Sequence, residues 1–180
     1  MIVTNFAWGK RYLAEQDRLR DSVHQWAIPA VFHRRDYDEP SCRPAAWRLK
    51  PQVILFELLV HDQVVWADAD GVFRGQWGVE LRGDLMVARN RGKWETCTVY
   101  SGRTDAALAT LETWRDLMPA EFTGFDSEAF QQAVEMVGPE IHELPVEYYW
   151  VRDWHYSSHG NRQPVIEYNT PLEIESRCCL

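Results

Sequence analysis

Apolar and polar positions along the 180-residue chain change their period more than once. Over residues 10–27, Tyr12, Leu19, Val23 and Trp26 fall on one helical stripe and Arg11 and Glu15 form an i,i+4 pair, so the spacing predicts a helix ended by Pro29. Residues 33–51 carry His33-Arg34-Arg35, Trp47, Pro40, Pro44 and Pro51 and read as a long, basic, irregular connection. Val53–Val60 is a nearly continuous apolar run, broken by Glu57, which predicts a strand buried on both faces. Val64-Val65-Trp66 is expected to return antiparallel to it, with the next turn at Asp70-Gly71. Val79, Leu81, Leu85 and Val87 alternate with Glu80, Arg82, Asp84 and Met86 as a half-buried strand does, and Asn90–Lys93 turns the chain into a further strand over Trp94–Tyr100.

The period then lengthens again. In residues 105–118, Leu108, Leu111, Trp114 and Leu117 make one stripe, with Thr104 as N-cap and Pro119 as stop. Residues 127–137 predict a second helix, with Asp126 as N-cap, Phe125 and Phe130 in staple positions and Gly138-Pro139 as terminator. Residues 146–156 and 164–168 read as a hairpin. Helical and strand segments are segregated, which indicates the α+β class: an N-terminal helix, an antiparallel sheet of about four to six strands, two consecutive helices and a C-terminal β-hairpin, in one domain spanning 1–180.

Composition adds compartment and charge. With 46% hydrophobic and 26% charged residues, the chain has the make-up of a folded protein. No basic, apolar leader opens it, and its longest apolar run is far short of the roughly 20 residues of a membrane span. Cys42, Cys97, Cys178 and Cys179 do not form a disulfide framework, and reduced thiols predict a cytoplasmic protein. The formal charge of −8 is unevenly placed. Residues 1–50 hold nine basic and six acidic side chains, residues 51–120 seven and ten, and residues 121–180 three and eleven. The imbalance therefore lies in the last third. An acidic surface of Glu128, Glu135, Glu140, Glu143 and Glu147, with Trp150 and Trp154 as aromatic anchors, points to a basic protein partner, such as one built to hold nucleic acid. Direct nucleic-acid binding is disfavoured, because Glu143, Glu147 and Asp153 would repel phosphates. The leading expectation is thus a small tryptophan-rich interaction protein, an inhibitor or immunity protein of bacterial or phage type, with no cofactor and no catalytic role.

Two competing readings remain: an enzyme, and a structural subunit whose tryptophans fill interfaces. For an enzyme, Ser101-Gly102-Arg103-Thr104 joins a strand to a helix N-terminus, where free N–H groups favour an anion. The string from Ser101 to Ala106 resembles the catalytic-aspartate motif of bacterial tRNA pseudouridine synthases, which would make Asp105 catalytic. The likeness stops after six residues, because Ala107-Leu108-Ala109 stands where that family has Gly-Val-His. A zinc ion could be held by Asp153, His155 and His159, although the spacing crosses a turn. Asp68-Ala69-Asp70-Gly71 fails as a calcium loop, because Trp66 and Trp77 occupy the terminal ligand positions, and it reads as a turn. No P-loop, dinucleotide-binding glycine pattern or nucleophile elbow is present.

Overall fold

The computed structural model describes residues 1–35, 43–119, 122, 124–151 and 162–168. It is of the expected α+β class, with a six-stranded mixed sheet, a small three-stranded sheet and four helices among the described residues. In chain order the elements are β1 (Ile2–Trp8), α1 (Lys10–Gln25), β2 (Ala30–Arg35), α2 (Arg43–Leu58), β3 (Gln63–Ala67), β4 (Val72–Phe73), β5 (Leu85–Asn90), β6 (Lys93–Gly102), α3 (Asp105–Asp116), α4 (Asp126–Val137), β7 (Ile141–Glu143), β8 (Trp150–Val151) and β9 (Ile166–Tyr168). A 3-10 turn at Val146–Tyr148 precedes β8.

The large sheet has the order β2-β1-β3-β6-β5-β7, and the small one β4-β9-β8. β1 runs parallel to both β2 and β3, with Val3 opposite Ala30 and Val65. β6 is antiparallel to β3 and to β5, so the antiparallel meander forms only one half of a mixed sheet. Alternation along each strand sends neighbouring residues to opposite layers. Val3, Val65, Ala67 and Met86 pack with Leu19 and Val23 of α1 and with Phe73, Ile166 and Tyr168 of the small sheet. Ile2, Val64, Trp66 and Val87 pack with Ile54 and Leu58 of α2, with Leu111 and Trp114 of α3 and with Phe130 of α4.

Several expected elements differ. No element was expected at β1, which is buried on both faces and carries no period-2 signal, and the end of β2 falls in the connection at 33–51 read as irregular. The apolar run Val53–Val60 is not a strand. Its larger part closes α2, where Ile54 and Leu58 are buried while Phe56, Leu59 and Val60 stand exposed. An unbroken apolar run does not distinguish the two states. Val79 and Leu81 belong to a loop, and strand pairing begins at Leu85.

The two consecutive helices are present. Thr104 caps α3 by accepting from the Ala107 N–H, and Gly138 ends α4 at φ 70°. The N-cap of α4 is Phe125, not Asp126, and at 62% exposure Phe125 staples nothing. In place of a C-terminal hairpin, β8 and β9 run parallel.

Candidate active site

β1 and β3 are adjacent parallel strands. The chain leaves β1 through α1 toward β2 on one side, and α2 brings it back to β3 on the other. This is a topological switch point, and in open α/β sheets the crevice at the carboxyl ends of such strands is where ligands bind. A chain of buried amides builds the floor of the crevice. Asn5 donates to the carbonyl of Ala67 at 2.6 Å, and Gln16 donates to Asn5 Oδ1 at 2.9 Å and to the carbonyl of His33 at 3.0 Å. These bonds tie α1 and β2 to the last residue of β3. Gly9 leaves β1 at φ 82°, a conformation that favours glycine, and α1 begins without a side-chain cap and without an acidic residue in its first turn.

Asp68, Ala69, Asp70 and Gly71 follow β3 directly into this crevice. Lys50 of α2, only 3% exposed, lies 2.9 Å from Asp68 Oδ1, 2.7 Å from Asp126 Oδ2 at the start of α4, and 3.0 Å from the carbonyl of Thr96. Its three donors therefore have three acceptors. Burial alone would lower the Lys50 pKa, but the charges of Asp126 and then Asp68 outweigh it and hold the pKa above its ordinary value. Trp66 Nε1 donates to Asp68 Oδ1 at 2.6 Å, and the Thr96 hydroxyl to Asp126 Oδ2 at 2.9 Å. Trp114 Nε1 fixes the Asp126 carbonyl at 2.9 Å, so the core of α3 positions the start of α4.

Burial raises the Asp68 carboxyl against the pull of Lys50, and Asp70 is pushed up to about 7 by burial first and by the charge of Asp68 second. Asp68 keeps a third of its side chain open to water, so it is a ligand-accessible acid in a dehydrated setting. The crevice holds more negative charge than Lys50 balances.

Gly71 lets this loop close against the small sheet. A Cβ there would stand 2.9 Å from Cε1 of Tyr168 and 3.1 Å from the Asp68 carbonyl. The Tyr168 hydroxyl bonds the Cys97 carbonyl, which also receives the Asp68 N–H. Gly71→Ala is expected to cost about 1–3 kcal/mol. Gly75→Ala, with nothing within 4 Å, should cost little, and thermal melts of the two variants check this.

The residues singled out from sequence lie elsewhere. Ser101 is fully buried, and the N–H groups of Gly102 and Arg103 are bonded to the carbonyls of Asp84 and Asp62. The Thr104 hydroxyl bonds Asp84 and caps Ala107. In the loop at 101–104, the Gly102 and Arg103 N–H groups are therefore already paired and Thr104 serves as a helix cap. It borders a recess of about 690 Å³ with Met1 and Gln63, at the amino ends of β1 and β3, away from Asp68. Glu128 and Glu135 on α4, Glu140 in the loop after it and Glu143 on β7 are exposed, whereas Glu147 is half-buried and bonded to Arg162. Trp150 is fully buried and offers no exposed anchor. Trp154 and the proposed zinc ligands Asp153, His155 and His159 lie outside the described residues. Sequence reasoning missed Lys50, Asp68, Asp70 and Asp126 as a group. The available signal was an Asp-x-Asp placed at the end of the apolar strand Val64–Ala67.

Solved structures share this architecture. A glycosyltransferase involved in the glycosylation of the major capsid of PBCV-1 superposes with a TM-score of 0.68 at 7% identity, over 93% of this chain and 94% of that one. The glycosyltransferase GlyE of Streptococcus pneumoniae TIGR4 superposes with TM-scores of 0.60 in its apo form and 0.59 in a second structure, at 12% and 11% identity. There the chain spans about half of GlyE, 53% of its length. No protein-family profile matches the chain, and no curated protein sequence resembles it.

The shared feature is the fold. It overturns the expectation of a small acidic inhibitor, because 93% of the chain is laid out as in these enzymes, with the most perturbed carboxylates in the switch-point crevice instead of on the acidic face. Surface charge in the last third misled because it is conspicuous in composition, while the crevice is assembled from residues far apart in sequence. Among the described residues, no helix is long and apolar enough to cross a membrane.

Proposed function

We propose that the chain transfers a glycosyl group from a phosphate-activated donor bound in the crevice at the carboxyl ends of β1 and β3. The observation that carries this reading is the placement of Asp68 and Asp70, with Lys50 behind them, at the switch point of a fold shared with glycosyltransferases. In such a transfer the bond between the anomeric carbon and a phosphate oxygen breaks. An acceptor hydroxyl oxygen bonds to that carbon, and its proton leaves to a base or to the departing phosphate.

A divalent cation fits the donor set. Asp68 Oδ1 is committed to Lys50 and Trp66, which leaves its second oxygen and the Asp70 carboxylate as hard oxygen ligands in a site with surplus negative charge. Among the described residues no third His, Cys, Asp or Glu completes a cage. The set therefore suits an ion that takes one or two carboxylates and fills its remaining positions with substrate phosphate and water. Such an ion, when bound, would neutralise charge on the departing phosphate.

The protein's own groups supply the rest. Lys50 holds Asp68 Oδ1 at 2.9 Å and its charge favours the carboxylate against the cost of burial. Thermal melts with uridine, guanosine, adenosine and cytidine diphosphates, each with Mn²⁺, test this. At least one should raise the Tm of the wild-type chain by about 5 °C at saturating ligand, and none should do so for Asp68→Asn. No shift with any of the four would refute the reading.

A further inference from the structure

Trp47 and Phe125 form an aromatic pair with ring centroids 5.9 Å apart and planes tilted by 38°. Both spring from the backbone around the Lys50–Asp126 ion pair. Trp47 is three residues before Lys50 on α2, hence on the same helix face, and Phe125 immediately precedes Asp126. Lys50 also holds Asp68, so the backbone that carries both rings is tied through one ion-pair network to the candidate active site. Phe125 is 62% exposed, although it could have packed inward as a staple, and Trp47 is half-buried beside it. Aromatic faces carry a negative quadrupole and attract polarised C–H groups. A large apolar ring held open beside a charged network favours a ligand that is apolar on one face and hydroxylated at its edge. A pyranose has that character: its axial C–H bonds form an apolar face and its hydroxyls ring the edge.

We infer that Trp47 and Phe125 form a stacking platform for a saccharide acceptor. The inference rests on the glycosyl-transfer reading, because an acceptor must reach the reacting centre from outside the donor crevice. The platform sets acceptor binding and takes no part in donor cleavage.

The test measures binding of lactose and cellobiose by saturation-transfer NMR, separately from hydrolysis of sugar nucleotides to water. Wild-type protein should bind at least one disaccharide. Phe125→Ala, an exposed site, should weaken binding about tenfold without changing donor hydrolysis, and Phe125→Trp should retain binding. Trp47→Ala should weaken it further, with a thermal melt to show that the variant is folded. Disaccharide binding that needs both rings in a protein that consumes no sugar nucleotide would leave the platform standing and refute the transferase reading. No binding by the wild type, or equal binding by Phe125→Ala, would overturn the platform.

Discussion

Lys50→Met should lower the thermal midpoint by about 10 °C, corresponding to a loss of about 3–5 kcal/mol. Methionine fills nearly the same volume, so packing is largely kept and the loss reports the ammonium's ion pairs together with its bond to the Thr96 carbonyl. Removing the ammonium leaves Asp68 and Asp126 in a dehydrated site with only the Trp66 and Thr96 donors to face them. Breaking a buried pair from one side is far costlier than the pair's net worth, because a charge is stranded. The pH dependence follows from the sign of the shift. The Lys50 pKa is raised in the folded chain, so its contribution is complete below the unfolded value and is lost only in strong alkali. It is therefore present across the neutral range. The deficit of the variant should shrink in acid, where Asp68, already raised by burial, takes up a proton. Adding Asp126→Asn to Lys50→Met should restore part of the loss, since the two positions are in contact. A Tm within 2 °C of wild type for Lys50→Met would show that the triad carries no such strain.

Asp70→Asn should stabilise the chain while disabling its proposed chemistry. The folded pKa of Asp70 is pushed up to about 7 from 3.8. Below about pH 4 the acid is protonated in both states and the substitution should be neutral. Between there and about pH 7 the unfolded chain ionises while the folded chain keeps its proton, so wild-type stability falls as pH rises. Above that range the full cost is present, and the asparagine variant should exceed wild type by about 2 kcal/mol, a value discounted because water reaches part of the side chain. Urea titrations at pH 4, 6 and 8 would show the growing gap. Mn²⁺ at pH 8 should then reverse the order, by stabilising wild type and leaving Asp70→Asn unmoved. A gap that is constant with pH would mean that Asp70 is not held in a charge-poor site.

The parts of this fold legible from sequence were those with local causes. Thr104 and Gly138 marked the limits of α3 and α4 because caps depend on residues a few positions apart. The β5–β6 hairpin was legible from Asn90–Lys93 for the same reason, its pairing being the shortest-range in the sheet. β1 was not legible: α1 covers one of its faces and α2 the other, and a strand buried on both sides shows no alternation. α2 was misread because Phe56, Leu59 and Val60 are apolar yet exposed, so hydrophobicity and burial part company there. The candidate site was the least legible of all. Lys50, Asp68 and Asp126 come from two helices and a strand end, and nothing near Lys50 in sequence announces a buried ammonium. Only Asp68-x-Asp70 was visible, and weighing it solely as a calcium loop set aside the position that matters, the carboxyl end of a strand.

The most direct measurement is donor consumption, followed by NMR of the anomeric proton, over a panel of sugar nucleotides with Mn²⁺, with Gly75→Ala as a folded control. The account predicts that wild type and the control cleave the anomeric carbon–oxygen bond of at least one donor, and that Asp68→Asn and Asp70→Asn each slow cleavage about 10³-fold. No donor consumed by the folded wild-type chain, or wild-type rates in both asparagine variants, would contradict it.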